Sequence, residues 1–367
     1  MSAIESCWAI GLMSGTSMDG IDAALIRTDG VTGFEPVAQL SCGYDPAFRA
    51  MLRKAVGSVG SNADVSTELT IRHADMVNAL LKASALSASD VRVVGFHGHT
   101  VFHDPANALT VQIGDGSLLA SQTGIDVVGN FRTNDVACGG QGAPLVPLFH
   151  VVRAPLARPI CFLNIGGVAN LTWIDSAADP ARPDVFDHVL AFDTGPGGAI
   201  IDDWVQRHTG QPFDLDGGIA AAGQVDEVVL AQLMDHPYFN VPPPKSLDRD
   251  TFDTSPVESL TVEDGAATLT AFSVAAVSNA IVHLPKRPVQ WLVTGGGRKN
   301  ATMMAWLGRS MHLDIVPTEA IGIDGDILEA QAFAYLAVRS LRGLPISGPT
   351  TTGVVEPVTG GQLFRAA

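Results

Sequence analysis

This sequence contains the same strand–turn–strand pattern twice, and that repeat sharply narrows the folds open to it. Strand-like apolar runs at 8–13 and 21–27 flank a turn rich in glycine, serine and threonine. After Pro159, runs at 160–164 and 171–175 flank a second turn, of glycine and asparagine. The copies start about 150 residues apart, too far for a solenoid period, and each leads into further strands and helices. The repeat predicts an internal duplication with two α/β lobes and a cleft between them.

Further periodic segments complete the predicted order of elements. The expected strands are 91–96, 189–193 (broken at 194–198) and 290–293, and the expected helices are 65–86, 199–208, 266–284, 301–311 and 325–342. The glycine-rich stretch 139–147 is the predicted crossover between the lobes. We therefore place the first lobe at 1–138 together with a tail of about 350–367, and the second lobe at 139–349.

Composition excludes several classes of protein. The 367 residues carry 38 acidic and 22 basic side chains, a net charge of −16, and no basic cluster offsets it, so we expect no nucleic-acid partner. No apolar run reaches the ~20 residues of a membrane span, and the first 15 residues lack a secretion signal. The cysteines are too dispersed for a zinc motif or a disulfide framework: Cys7, Cys42, Cys138 and Cys161. We expect a cytoplasmic protein without a membrane partner.

Three glycine-rich turns point to a bound nucleotide. The turns are 11–20, 165–170 and 294–300, and the third follows a strand and opens a helix. Glycine leaves room for phosphates at backbone N–H groups and for a flat adenine ring. One such hairpin alone would more simply be structural. Two phosphate turns with a glycine-lined adenosine pocket are the arrangement of the superfamily that includes actin, hexokinase and the heat-shock chaperone ATPases. The expected fold is therefore this two-lobed, duplicated ribonuclease-H-like fold, with the active site in the cleft.

A more specific resemblance spans nearly the whole chain. The segment GLMSGTSMDGID at 11–22 resembles the signature of the anhydro-N-acetylmuramic acid kinases. Other motifs of that family follow in family order: HGHTVFHDP at 97–105, QIGDGSLLA at 112–120, GGQGAPLVPLFH at 139–150, LNIGGVANLT at 163–172, FDTGPGG at 192–198, HPYF at 236–239, PPPKS at 242–246, TGGGRKN at 294–300 and LEAQAFAYLA at 328–337.

The resemblance implies a reaction. Such an enzyme takes 1,6-anhydro-N-acetylmuramic acid, ATP and water, with Mg²⁺, and produces N-acetylmuramate 6-phosphate and ADP during peptidoglycan recycling. It also implies a homodimer. Two alternatives are another small-molecule kinase of the superfamily and a nucleotide-switched binding protein.

The resemblance also assigns residues to catalysis and to the binding of ATP. Asp193 matches the catalytic base that deprotonates water, and capping of the helix at 199–208 is its structural alternative. Phosphate contacts are expected from the two turns: Gly15, Thr16, Ser17, Met18, Asp19, Gly20, Ile21, Asp22, Gly166, Gly167 and Asn170. Adenosine contacts are expected from Gly295, Gly296, Gly297 and Asn300. A hydrated Mg²⁺ is expected near Asp19 or Asp22 without a dedicated protein cage, although Asp22 could equally be a solvated strand residue.

Three further residues are expected at the sugar. Arg132 matches a substrate-side arginine that would pair with the lactyl carboxylate, and its alternative is an ordinary surface arginine. His97 would bond a sugar oxygen, or be a core histidine bonded to backbone. Glu329 matches a carboxylate near the sugar, or would form a salt bridge on its helix.

Several positions depart from the family pattern. His99 stands where glutamine is usual, Asn130 replaces aspartate and Gly198 replaces asparagine. Leu247 and Asp248 stand where threonine and glycine are usual. The missing carboxylate at 130 and the missing glycine at 248 bear on sugar specificity and on lobe closure. With His97 and His103, His99 also gives a spacing that raises a weak zinc hypothesis.

Overall fold

The computed structural model describes residues 5–15, 17–60, 62–155, 157–313 and 315–366. Its internal contacts divide the chain into two compact units. The first unit comprises Met1–Arg153, Ala178–Asp187 and Ile327–Ala367, and the second comprises Ala154–Ala177 and His188–Asp326.

The strands are β1 (Cys7–Met13), β2 (Gly20–Thr28), β3 (Phe34–Gly43), β4 (Val91–Phe96), β5 (His99–Asp104), β6 (Leu109–Ile113), β7 (Val127–Gly129), β8 (Ile160–Ile165), β9 (Val168–Ile174), β10 (Val189–Pro196), β11 (Gln290–Thr294), β12 (Ile315–Pro317) and β13 (Gln362–Phe364). The α-helices are α1 (Pro46–Ala55), α2 (Ala63–Ser84), α3 (Gly116–Thr123), α4 (Thr133–Ala137), α5 (Pro147–Arg153), α6 (Ala199–Thr209), α7 (Gly218–Ala222), α8 (Glu227–Met234), α9 (Val262–Ala280), α10 (Ala301–Met311) and α11 (Leu328–Leu341).

The main sheets of the two units share one topology. In the first unit the order is β13-β7-β4-β1-β2-β3, and in the second it is β10-β9-β8-β11-β12. Each begins with three antiparallel strands, and two parallel strands then add beside the first: β4 and β7 in one sheet, β11 and β12 in the other. When its strands are numbered within the sheet, each sheet therefore reads 3-2-1-4-5, with β13 added to the first. The predicted α/β duplication with ribonuclease-H-like sheets is confirmed.

Helix α11 explains why the first unit takes its residues from both ends of the chain. Its backbone lies against strands of the first sheet, where a Cβ atom on Gly11 would fall 1.8 Å from the carbonyl oxygen of Ala330 and one on Gly95 would fall 2.1 Å from that of Phe333. Glycine permits this close approach. The lobes predicted from sequence differ here, because 139–153 and 327–349 lie with the first unit.

The core of the second unit contains a long apolar helical segment. Val262–His283 is long and apolar enough to cross a membrane by length and composition alone, which corrects the expectation that no run comes near that length. However, 67% of its most apolar window is buried inside the protein. Helix α9 therefore has the burial of a core helix, packed among residues such as Trp204, Phe239 and Trp291.

Candidate active site

The first glycine turn connects β1 to β2 and is tied to neighbouring segments by hydrogen bonds. The Asp19 carbonyl accepts a bond from Tyr44 N at 2.9 Å, and Ser17 Oγ donates to Asp19 Oδ1 at 2.8 Å. Met18 adopts a left-handed backbone (φ 55°), and its N–H donates to the Gly15 carbonyl. That amide is already bonded within the turn. Thr16 lies outside the described residues.

The remaining predicted positions of this turn lie on β2. Packing requires glycine at position 20, because a Cβ atom on Gly20 would fall 2.3 Å from the carbonyl oxygen of Cys42 on β3. Ile21 is buried in the core. Asp22 accepts a hydrogen bond from Ser41 Oγ at 2.5 Å, so it is not merely a solvated strand residue.

Glycines of the three turns fall into two groups when a Cβ atom is built on each. Gly295 and Gly297 are required by packing, since their Cβ atoms would come within 2.4 Å of Asn164 Oδ1 and 2.3 Å of Ile165 Cγ2. Gly15, Gly166 and Gly296 would meet nothing closer than ordinary van der Waals distance. None of these three has a positive φ. Packing therefore does not explain them, and the space beside each Cα atom is open.

Arg132 and His97 meet in the first unit. Arg132 donates from Nε and Nη2 to His97 Nε2, at 3.1 and 3.0 Å, and from Nη1 to the Gly142 carbonyl at 2.7 Å. His97 Nδ1 in turn donates to the Gly98 carbonyl. Burial, aided by the Arg132 charge, holds the pKa of His97 well below its usual value, so its ring is neutral. Arg132 is therefore held by specific bonds, unlike an ordinary surface arginine. His97 bonds to backbone, as expected of a core histidine, and it also contacts the candidate substrate residue Arg132.

Glu329, in the first turn of α11, belongs to the same cluster. Burial, together with the negative charges of Asp22 and Asp19, raises its pKa, and Arg132 opposes this. In the described part of the chain its carboxylate forms no hydrogen bond or ion pair, which argues against the salt-bridge alternative. The first unit thus brings together five predicted residues, with Glu329 ready to accept a bond from a ligand: His97, Arg132, Glu329, Asp19 and Asp22.

In the second unit, polar residues cross the sheet side by side. Asp193 on β10 lies opposite Asn170 on β9, which lies opposite Asn164 on β8. Directly opposed residues of antiparallel strands project from the same face. Thr294, immediately before the third glycine turn, pairs with Asn164. The sheet therefore gathers Asp193, the second turn and the third turn at one end.

Asp193 is buried and held at several atoms. Its Oδ2 accepts a bond from Leu247 N at 2.7 Å, its N–H donates to the Lys245 carbonyl at 3.0 Å, and its carbonyl accepts one from Tyr238 Oη. Gly198, not Asp193, is the N-cap of α6, so the capping alternative is wrong. The strand also continues past the predicted break to Pro196, with a bulge between Asp193 and Gly195.

The second turn is held by backbone hydrogen bonds from Gly197 and Gly198. The carbonyls of Gly166 and Gly167 accept bonds from the N–H groups of Gly198 and Gly197, at 2.8 and 2.9 Å. A Cβ atom on Gly197 would fall 2.2 Å from the Gly166 carbonyl oxygen, which explains that glycine. The Gly166 N–H bonds within the turn to Val168.

Asn300 has a clear structural role. Its side chain caps α10 by accepting a bond from Met303 N at 2.8 Å. Any contact of Asn300 with adenosine would be additional to this cap.

The zinc hypothesis gains no support. His99 Nδ1 bonds Ser14 Oγ at 3.0 Å, and His97 bonds Gly98 and Arg132. Among the residues the structure describes, no group of three or more His, Cys, Asp or Glu side chains is arranged to hold a metal ion.

Four residues beside the candidate site were not predicted from the sequence to have a role. Asn164, Tyr238 and Lys245 lie within the quoted motifs, but no role was expected of them, and Leu247 was noted only as a departure. Leu247 contributes its backbone N–H to Asp193, so the change from threonine keeps this donor.

Comparison with known proteins shows the family. The family model described as anhydro-N-acetylmuramic acid kinase matches residues 7–366. The chain is 51% identical to the anhydro-N-acetylmuramic acid kinase of Rhodospirillum rubrum, covering 98% of this chain and 95% of that protein. It is 49% identical to that of Paramagnetospirillum magneticum, covering 96% and 98%.

Solved structures that resemble the chain are more distant. Component A of (R)-2-hydroxyglutaryl-CoA dehydratase from Acidaminococcus fermentans aligns at 11% identity with a TM-score of 0.47, covering 92% of this chain and 99% of that one. Xylulose kinase from Lactobacillus acidophilus aligns at 12% with a TM-score of 0.45, covering 98% and 94%. It is the family model and the close relatives that carry the assignment: this chain belongs to the anhydro-N-acetylmuramic acid kinase family and is a kinase.

Proposed function

We propose that this kinase opens the 1,6-anhydro ring of 1,6-anhydro-N-acetylmuramic acid with water and transfers the γ-phosphoryl group of ATP to O6. The products are N-acetylmuramate 6-phosphate, ADP and a proton. Family membership supports the substrate. The observation that carries the chemistry is the buried carboxylate of Asp193, which lies in a sheet row with Asn170 of the second glycine turn and is held by Leu247 N–H.

In the proposed reaction Asp193 accepts a proton from water, and the water oxygen bonds to the anomeric carbon. The bond from that carbon to O6 breaks, and its electron pair stays on O6. O6 then bonds to the γ-phosphorus as the bridging bond to ADP breaks. Phosphoryl transfer depends mainly on positioning and charge neutralisation. The open space at the Cα atoms of Gly15, Gly166 and Gly296 leaves room for ATP at these turns.

The cluster in the first unit suits an anionic sugar. Arg132 supplies the positive charge for the lactyl carboxylate, and the neutral His97 ring orients its guanidinium. Glu329 would accept a hydrogen bond from a sugar hydroxyl or amide. We assign His97, Arg132 and Glu329 to the substrate.

The acidic residues of the same unit are compatible with Mg²⁺. Burial is the main reason that the pKa of Glu329 is raised, and the charges of Asp22 and Asp19 add to it; a divalent cation would relieve this repulsion. Mg²⁺ keeps several waters and binds one or two carboxylates with the phosphates. Asp19 and Asp22 would contact this hydrated ion, which supplies charge neutralisation. We further infer a cytoplasmic homodimer, as family resemblance implies.

The reaction can be tested with Mg²⁺, ATP, the anhydro sugar and ¹⁸O-labelled water. We expect ¹⁸O at the anomeric carbon of a 6-phosphorylated product, measured by mass spectrometry. Asp193→Asn should abolish the product while leaving ADP affinity nearly unchanged, because this carboxylate serves water and not the nucleotide. An unlabelled product would contradict the hydrolytic step. Wild-type turnover of Asp193→Asn would contradict the role of Asp193, and another preferred sugar would contradict the substrate.

A further inference from the structure

Lys245 is a buried cation without an anionic partner. Its side chain is only 6% exposed, and its ammonium group bonds the Tyr238 carbonyl at 3.0 Å. The group also lies 4.3 Å from the centre of the Tyr238 ring and 5.9 Å from that of Phe192. Within the residues that the structure describes, no carboxylate pairs with it. Burial lowers the pKa of Lys245 to about 8. An unpaired buried charge is costly, so its retention needs a reason.

Lys245 also takes part in a closed ring of hydrogen bonds that contains Asp193. The Tyr238 hydroxyl donates to the Asp193 carbonyl, the Asp193 N–H donates to the Lys245 carbonyl, and the Lys245 ammonium returns to the Tyr238 carbonyl. Strand β10 is an edge strand, so its outward backbone groups need partners from outside the sheet. Residues 238–247 supply them at Asp193.

The same segment presents the group that holds the catalytic carboxylate. Leu247, two residues beyond Lys245, donates its N–H to Asp193 Oδ2. Phe239 anchors the start of the segment in the core, where its ring stacks on Phe252 at 5.4 Å. The Lys245 ammonium joins the far end of the segment to that anchored start.

We propose that Lys245 is a positioning residue, whose ammonium group closes residues 238–247 so that the Leu247 N–H holds the Asp193 carboxylate in its reactive orientation. This inference rests on the proposed role of Asp193 as the base. It also assigns a positioning role to Tyr238, which belongs to the same ring of hydrogen bonds.

The test compares Lys245→Met, Tyr238→Phe and the double variant in the full-length enzyme. Lys286→Met is the matched control, because Lys286 lies in the same unit and its side chain is 62% exposed. We expect Lys245→Met to lower kcat by about 10- to 100-fold, because a small misplacement of a reacting group has a large effect on rate. KM for sugar and ATP, and ADP affinity by calorimetry, should change by no more than about twofold.

Coupling between the two side chains gives a second readout. Because both belong to one ring of bonds, the double variant should lose much less than the product of the single losses. Tyr238→Phe removes a single hydroxyl and keeps the aromatic side chain. This variant therefore serves as the test if Lys245→Met fails to bind ADP. A wild-type kcat in either single variant that still binds ADP would overturn the inference. A loss in the double variant equal to the product of the two single losses would overturn it as well. If Asp193→Asn is inactive while Lys245→Met is normal, only this inference fails; if Asp193→Asn is active, the proposed function fails first.

Discussion

His99 ties the first glycine turn to the core through one side chain. Its Nδ1 bonds the buried Ser14 Oγ, which also bonds Tyr44 Oη at 2.7 Å. Burial lowers the pKa of His99 to about 4, so the ring is neutral in the folded protein near pH 7. The departure from glutamine at this position therefore adds a titratable group to the support of the turn.

His99→Gln should make stability less sensitive to acid. Between pH 6.5 and about 4, His99 binds a proton in the unfolded chain but not in the folded one, so its contribution to stability is lost as pH falls. The variant should lessen the fall in unfolding free energy by up to about 1.4 kcal/mol per pH unit in that window. Urea unfolding at several pH values measures this. The exposed His208→Gln is the control; equal slopes for wild type and His99→Gln would contradict the expectation.

At the scale of the elements, two neighbouring positions of the third glycine turn differ in why they hold glycine. Gly297 packs against Ile165, whereas a Cβ atom on Gly296 would enter open space. Gly297→Ala should destabilise the protein by about 1–3 kcal/mol through overpacking. Gly296→Ala should leave unfolding within about 0.5 kcal/mol of wild type and yet weaken ADP binding. Urea unfolding and ADP calorimetry separate the two, and normal ADP affinity in Gly296→Ala would remove that glycine from the nucleotide site.

Elements with strong periodicity were predictable, and those set by contacts were not. Strand β4 and helix α10 lie where the sequence predicts them. Strand β3 was missed because it contains Pro36 and is mostly exposed, which an edge strand tolerates. The glycine turns and Asp193 have sequence signals. The ring through Tyr238 and Lys245 has none, because it depends on backbone contacts between segments about 50 residues apart.

At the scale of the whole molecule, Asp135 fastens the C-terminal part of the chain into the first unit. It is fully buried, and its carboxylate accepts bonds from Ser347 Oγ, Thr352 Oγ1 and Gly142 N, at 2.5, 2.5 and 2.6 Å. Because Gly142 also accepts the bond from Arg132, this carboxylate supports the proposed sugar cluster.

Asp135→Ala should destabilise the first unit by on the order of 3 kcal/mol, because it leaves buried donors without partners. Four of the five tryptophans lie in the second unit: Trp173, Trp204, Trp291 and Trp306. The circular dichroism transition in urea should therefore begin before the fluorescence transition. Coincident transitions, shifted together, would show instead that the units unfold as one. Asp235→Ala, at an exposed position of the second unit, is the control.

The route of the chain through the two units bears on its synthesis. The first sheet is complete only when β13 is added, and the first unit only when α11 is added, although the first strands emerge from the ribosome earliest. The second unit takes its residues from positions up to 326. A nascent chain therefore carries an unfinished N-terminal sheet, with Gly11 and Gly95 uncovered, until α11 and β13 have been synthesised. A prematurely terminated product would be left without a completed first unit, and would be a substrate for chaperones and proteases instead of a partly active enzyme.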